Sequence, residues 1–335
     1  MIDHCSLNEL ADRLAAGGVG EVGSVLVVDL DDREPPSLPT LHAGVAWVVV
    51  GTTAAEDPAS HPARAVCDVV VAAGDPVVGS IAESVGRHPL AAAALVRLLR
   101  GREGRSLEAG LVAESASYSA LQAGPELAAW LASRAPRPRA QEGAPVRVER
   151  DGDHLHITLT RPHVRNALDT TMRDALVEAF LLPALDPSIA EVHLRGEGAS
   201  FCAGGDLDGF GTFPDPATAH VVRLQQSVGR AIARVAGRVT AHLHGACVGS
   251  GIELPAFAGR VLADPSTSIS LPEVSMGLIP GAGGTVSLPA RIGRQRTARL
   301  ALSGEAIDAT TARAWGLVDE IVDDLADRPG ATATR

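Results

Sequence analysis

The chain has 335 residues, of which 46% are hydrophobic, 21% charged and 3% aromatic, more than one average domain needs and less than three would take. That balance excludes a disordered chain and a disulfide-knotted miniprotein, and no apolar run approaches the roughly 20 residues of a bilayer-spanning helix. Lysine is absent, so all 29 basic residues are arginines, set against 40 acids for a net charge of −11. A nucleic-acid binder wants a basic stripe; here an anionic ligand has to be met by particular arginines and backbone N–H groups.

The chain opens on MIDHCSLNELADRL, an acidic amphipathic start without the basic and apolar regions of a leader, which points to a cytoplasmic protein. A helix is expected over about 6–16. Gly18–Gly23 matches GxGxxG, but that motif works between a strand and a following helix, and here the order is reversed, so it is rejected. Apolar β-branched runs at Ser24–Leu30, Val45–Gly51 and Val66–Val71 suit buried strands of a parallel sheet. From Ile81 the pattern turns helical, with Leu90, Ala94, Leu95, Leu98 and Leu99 on one face, and two more helices carrying Leu107, Leu111, Tyr118, Leu121, Leu127, Trp130 and Leu131. The stretch Arg134–Pro145, rich in Pro, Arg and Ala, reads as a linker. The expected division is therefore 1–135, a linker at 136–145, and 146–335.

The second part begins with strands Val146–Glu149 and His154–Thr160 about a turn. A helix follows through Leu168, Met172, Leu176 and Phe180, with Asp169 as N-cap. Strand Val192–Arg195, a glycine-rich turn, a helix at about 217–236, strand Val239–Leu243 and a second glycine-rich turn come next. Strands alternating with helices argue for an α/β architecture. Cys5, Cys67, Cys202 and Cys247 show no CxxC or metal spacing and are expected to be reduced and packed. Gly281–Thr285 lacks a phosphate loop's lysine, and Ser250 fails the GxSxG elbow. His154/His156 and His242/His244 each lie on one face of a strand. Spacing offers neither pair a third ligand, so no metal is expected.

The informative stretches are Gly196–Leu207 (GEGASFCAGGDL) and Gly245–Leu254 (GACVGSGIEL). A strand running into a glycine turn and then a helix exposes backbone N–H groups, and two such turns side by side can stabilise an oxyanion. Glu253 lies in the first turn of the second helix, and Glu273 lies 20 residues on in an apolar segment. Two glutamates beside an oxyanion hole can move protons and activate water. From spacing alone, Glu253 can equally be a residue favoured by the helix dipole, and Glu273 a turn residue.

Taken in order with LPEVSMGLIPGAGGTVSLPARIG and ALSGEAIDATTARAWGLVDEIV, these stretches resemble the crotonase (enoyl-CoA hydratase/isomerase) superfamily over about 146–324. RPHVRNALD at 161–169 resembles its first CoA-contacting loop. The resemblance implies a crotonase-like ββα spiral fold, an α/β class, preceded by an α/β extension ending in helices. It implies an oxyanion hole from the backbone N–H groups of Ala203 and Ser250, and Glu253 and Glu273 as the catalytic pair, Glu253 activating water and Glu273 protonating C2. It implies substrate contacts at Arg165, Ala167, Gly204, Asp206, Leu207, Gly249 and Gly281. No metal or redox cofactor is implied, since the coenzyme A thioester is the substrate, and neither nucleic acid nor membrane is a partner. The implied assembly is a homo-oligomer, a trimer or dimer of trimers. Enoyl-CoA hydration is the reaction implied, with an enoyl-CoA isomerase or a non-catalytic acyl-CoA-binding subunit as alternatives.

Four features depart from the family's pattern or stay open. Gly259 stands where an aspartate is usual. Pro255 falls within the helix that should carry Glu253. Arg165 suits either CoA phosphates or solvent, and Arg291, Arg294, Arg296 and Arg299 suit either a solvated or interface helix face or a phosphate clamp. The family pattern continues beyond GLVDEIV into helices for which only about a dozen residues remain here. Arg64–Asp75 resembles Arg313–Asp324, and the helices after it resemble that tail. The extension is therefore expected to be a decayed crotonase-like half whose helices replace the tail, an unrelated helical cap being the alternative.

Overall fold

A computed structural model describes residues 2–31, 41–42, 44–135 and 143–323. The chain divides into two compact units.

The first unit comprises residues 1–130, 272–279 and 288–305. It starts with β1 (Ile2–Ser6), α1 (Leu7–Ala15), β2 (Val25–Asp29), β3 (Val48–Thr53) and β4 (Val69–Ala72). The strands form one parallel sheet in the order β1-β2-β3-β4, as the valine-rich runs predict. Ser6 caps α1 and Glu9 reaches back to the Ser6 amide, a reciprocal capping box. The GxGxxG segment lies between α1 and β2, as a motif without its helix should. Helices α2 (Val77–Arg87), α3 (Pro89–Arg100), α4 (Leu107–Gln122) and α5 (Pro125–Ala132) follow. Arg294 donates to the carbonyls of Cys67 (2.8 Å) and Ala65 (2.5 Å), Arg296 lies 3.6 Å from Asp57, and Arg299 lies 3.2 Å from Asp75. These three arginines of the expected cluster pair with the 57–75 stretch of the same unit.

The second unit comprises 131–271, 280–287 and 306–335. Its strands are β5 (Val146–Asp151), β6 (His154–Leu159), β7 (Glu191–Gly196), β8 (Val239–Leu243), β9 (Ala246–Val248), β10 (Arg260–Ala263), β11 (Ser268–Ser270), β12 (Ile307–Asp308) and β13 (Glu320–Ile321). Six make a sheet ordered β13-β10-β8-β7-β6-β5, and three make a second ordered β12-β11-β9. The large sheet is parallel except for its edge hairpin β5–β6. Leu155, Ile157, Leu159, Val192 and Leu194 are buried. Helix α6 (Thr170–Leu185), capped by Asp169 as expected, and α8 (Val228–Arg234) contribute Leu176, Phe180 and Ile232 beside Leu159 and Leu194.

The helix expected at 217–236 is two, α7 (Pro216–Gln225) and α8, because Ser227 starts a new N-cap on the Arg230 amide. The helix expected to carry Glu253 is the single turn α9 (Ser250–Glu253), and the chain tightens into a 3-10 turn at Pro255–Phe257. Proline lacks the N–H that would continue an α-helix. Helix α10 (Gly284–Ser303) kinks at Gly293 (φ 76°), and α11 (Ala309–Trp315) precedes β13. The expected linker falls mostly outside the described residues.

Candidate active site

In the second unit the two glycine turns lie side by side because the chain after β7 pairs with β9. Phe201 donates to the His244 carbonyl (2.9 Å), Cys202 to Ala246 (3.2 Å), and Val248 to Cys202 (3.0 Å). Two glycines permit this. Gly249 has φ 51°, which suits glycine, and a Cβ on Gly251 would sit 2.2 Å from the Cys202 carbonyl oxygen.

The pairing decides which amides remain for a ligand. The Ala203 N–H, expected in the oxyanion hole, donates to the Arg165 carbonyl at 2.9 Å, so that expectation is corrected. The Leu168 N–H bonds Gly204 and the Asp206 N–H bonds Leu168, each at 2.8 Å, so the turn and the 165–168 segment run as a short parallel ladder. Within that ladder Gly205 keeps an N–H without a partner among the described residues, as does Ser250. Cys202 pairs opposite Cys247, and Gly205 and Ser250 both stand three residues beyond. Ser250 also borders an apolar cavity with Cys202, Leu168, Met172 and Leu254, a setting that strengthens electrostatic interactions.

Glu253 is 2% exposed. Its Oε2 accepts the N–H groups of Ala282 and Gly284, each at 2.8 Å, and its carbonyl accepts the Ser287 hydroxyl at 2.8 Å. Gly281 immediately precedes the first of those donors. Gly249 donates its N–H to Ser270 (3.0 Å) and accepts from Glu253 (2.9 Å), so it forms the turn.

The loop expected to meet CoA is built on residues that sequence reasoning missed. Buried Arg161 pairs with Asp169 and with Asp206, both at 3.1 Å, and donates to the Ala167 carbonyl. The Asp206 carboxylate is thereby engaged in holding the loop, as it also accepts from the Asp208 amide. Asn166 is fully buried; its side chain accepts from the Arg161 amide and donates to the carbonyls of Glu197, Ser200 and Phe201. Arg165 and Asn166 both have φ 54°, strain that such a latch sustains. The RPHVRNA motif was the available signal. Arg165 is exposed, and its guanidinium makes no hydrogen bond among the described residues. Leu207 is partly exposed at the turn after Asp206.

Glu273 belongs to the first unit, where it opens a 3-10 turn, Glu273–Met276. It is 8% exposed, and its Oε2 has no hydrogen-bond partner among the described residues. Burial pushes its carboxyl up to about 7, and the charge of Glu114 adds to the rise against a backbone hydrogen bond that lowers it. Glu114, on α4, is itself 2% exposed. Helix α5 approaches the same segment so closely that a Cβ on Gly277 would lie 2.5 Å from the Glu126 Cβ. Thus α4 brings one expected catalytic glutamate a second carboxylate that spacing does not disclose.

A sequence model described as enoyl-CoA hydratase/isomerase matches residues 150–327. The 2,3-dehydroadipyl-CoA hydratase of Escherichia coli K12 is 33% identical over 174 residues, 52% of this chain and 68% of that protein. The 1,2-epoxyphenylacetyl-CoA isomerase of the same strain is 34% identical over 180 residues, 52% of this chain and 68% of that protein. The crystal structure of an enoyl-CoA hydratase from Thermoplasma volcanium has a TM-score of 0.50 and 38% identity, covering 55% of this chain and 74% of that one. This chain belongs to the enoyl-CoA hydratase/isomerase family, the crotonase superfamily. The match begins at 150, so residues 1–149 stand in front of the family's shared part.

Proposed function

We propose that the protein adds water across the double bond of a 2-enoyl-CoA to give a 3-hydroxyacyl-CoA. The reading rests above all on two buried glutamates with unlike surroundings. The Glu253 carboxylate is fixed by two backbone N–H groups, whereas Glu273 has a carboxyl near 7 and one oxygen without a partner among the described residues. A general acid works best with a pKa near the working pH.

In the proposed reaction Glu253 takes a proton from water as the water oxygen bonds to C3. The electron pair of the C2–C3 bond shifts toward the thioester, and the amides of Gly205 and Ser250 hold the oxyanion. Glu273 then delivers its proton to C2, the carbonyl reforms, and solvent returns Glu253 and Glu273 to their starting protonation states. Arg165 is the proposed contact for CoA phosphates. The family resemblance extends the proposal to a cytoplasmic trimer or dimer of trimers.

The test is loss of the conjugated thioester absorbance when 2-enoyl-CoAs of graded chain length are added. Wild type is expected to hydrate at least one of them. Conversion of 3-enoyl-CoA to 2-enoyl-CoA without hydration would assign the single-glutamate isomerase chemistry instead.

A further inference from the structure

Four histidines stand on one face of the large sheet. The register sets His154 opposite Glu191 and His156 opposite His193, and residues two apart on a strand share a face. Leu155, Ile157, Val192 and Leu194 therefore point to the core and leave His154, His156, Glu191 and His193 on the other face. His242 of β8 joins them, its Nε2 lying 3.2 Å from the His193 Nδ1.

Three of these side chains converge. The His154 Nδ1 lies 3.2 Å from the His193 Nε2, and the Glu191 Oε2 lies 3.5 Å from each. A tetrahedral ion bound at 2.0–2.1 Å holds its ligands about 3.3–3.4 Å apart, so the three atoms already sit at the corners of one face of such a tetrahedron. The geometry points to a divalent transition-metal site of the zinc type formed by His154, Glu191 and His193. Two imidazoles and one carboxylate suit such an ion and disfavour magnesium or calcium, which take oxygen ligands.

The surroundings fit the same role. A ligating imidazole usually gives its other ring N–H to a fixed partner. His193 has His242 there, and the Nε2 of His154 has the Asp153 carboxylate at 3.6 Å. Glu191 is exposed and His154 partly so while His193 is buried, so an ion could enter from solvent and keep a fourth position for water. The site lies at the start of β6 and β7, whereas the candidate oxyanion amides lie beyond the far ends of β7 and β8. An ion here would clip the two strands and leave the proposed chemistry alone. Sequence spacing could not reveal it, because the ligands come from neighbouring strands 37 to 39 residues apart.

The test uses the full chain, stripped with a chelator and titrated with Zn2+ by calorimetry, and with Co2+ by visible absorption. One ion per chain should bind, Co2+ should give the intense absorption of a tetrahedral site, and Zn2+ should raise the Tm. His154→Gln and Glu191→Gln, neither at a buried position, should each weaken binding by more than about tenfold while keeping the wild-type circular dichroism. Absence of one-to-one binding in the wild type would overturn the assignment. So would unchanged affinity in both variants, since the ion would then sit elsewhere. Hydratase activity is not the readout, so the result is independent of the proposed reaction.

Discussion

Glu273 carries the sharpest consequences at the scale of single residues. Its carboxyl near 7 means that it is protonated below neutrality and ionised above, so hydration that draws a proton from it should fall as the pH rises through about 7. Glu114→Gln removes a negative charge that opposes ionisation of Glu273, which lowers the Glu273 pKa and should move this alkaline limb to lower pH. A loss of activity without any shift of the limb would leave Glu114 a packing residue. The same burial has a cost in stability. In the unfolded chain the carboxyl ionises near its ordinary 4.5, so between that value and about 7 the folded state progressively loses stability as pH rises. Glu273→Gln should therefore raise the Tm at pH 8 and change it little at pH 4. Glu253 is constrained differently: a Cβ on Gly284 would lie 2.6 Å from its Cγ. Gly284→Ala should displace the carboxylate and lower kcat by about tenfold or more, with little effect on the circular dichroism.

At the scale of elements, the readable pieces were those whose residues announce themselves locally. The valine runs gave β2, β3 and β4, Asp169 gave the start of α6, and the reversed order around Gly18–Gly23 ruled out a dinucleotide loop. Strand β1 escaped because Ile2–Ser6 is a mostly exposed edge strand that among the described residues pairs with β2 alone, so its composition is not apolar. The break between α7 and α8 escaped because a serine within a helical pattern looks like any polar surface position until its hydroxyl is seen to cap. The adjacency of the glycine turns was legible from motif order. The motif places an oxyanion amide at Ala203, but hydrogen bonding to the 165–168 segment engages the Ala203 N–H and leaves that of Gly205 without a partner among the described residues, a pairing that motif order does not disclose. Glu114 and the His154–Glu191–His193 triad were illegible because their partners are distant in sequence. Another element-scale contact ties α3 to the parallel sheet: buried Asp68 accepts from the Val49 amide (2.9 Å) and pairs with Arg100, which also donates to the carbonyls of Val45 and Trp47, each at 2.6 Å. Asp68→Ala leaves a buried guanidinium without its counter-charge and should cost about 3–5 kcal/mol in a denaturant titration.

At the scale of the whole molecule, residues 1–130 form a compact unit with 272–279 and 288–305. The extension therefore contributes to the surroundings of Glu273 instead of standing as a separate appendage to it. No helix among the described residues is long and apolar enough to cross a membrane, and the described cysteines are buried and free. Without lysine, the charged contacts at the site fall to arginine, with Arg161 securing the loop and Arg165 left exposed. The direct measurement of the two-glutamate hydration is the rate of 2-enoyl-CoA absorbance loss for wild type, Glu253→Gln and Glu273→Gln. Hydration by the wild type and a drop of at least about a hundredfold in each variant are expected. Undiminished hydration by either variant, or none by wild type at any chain length, would contradict it.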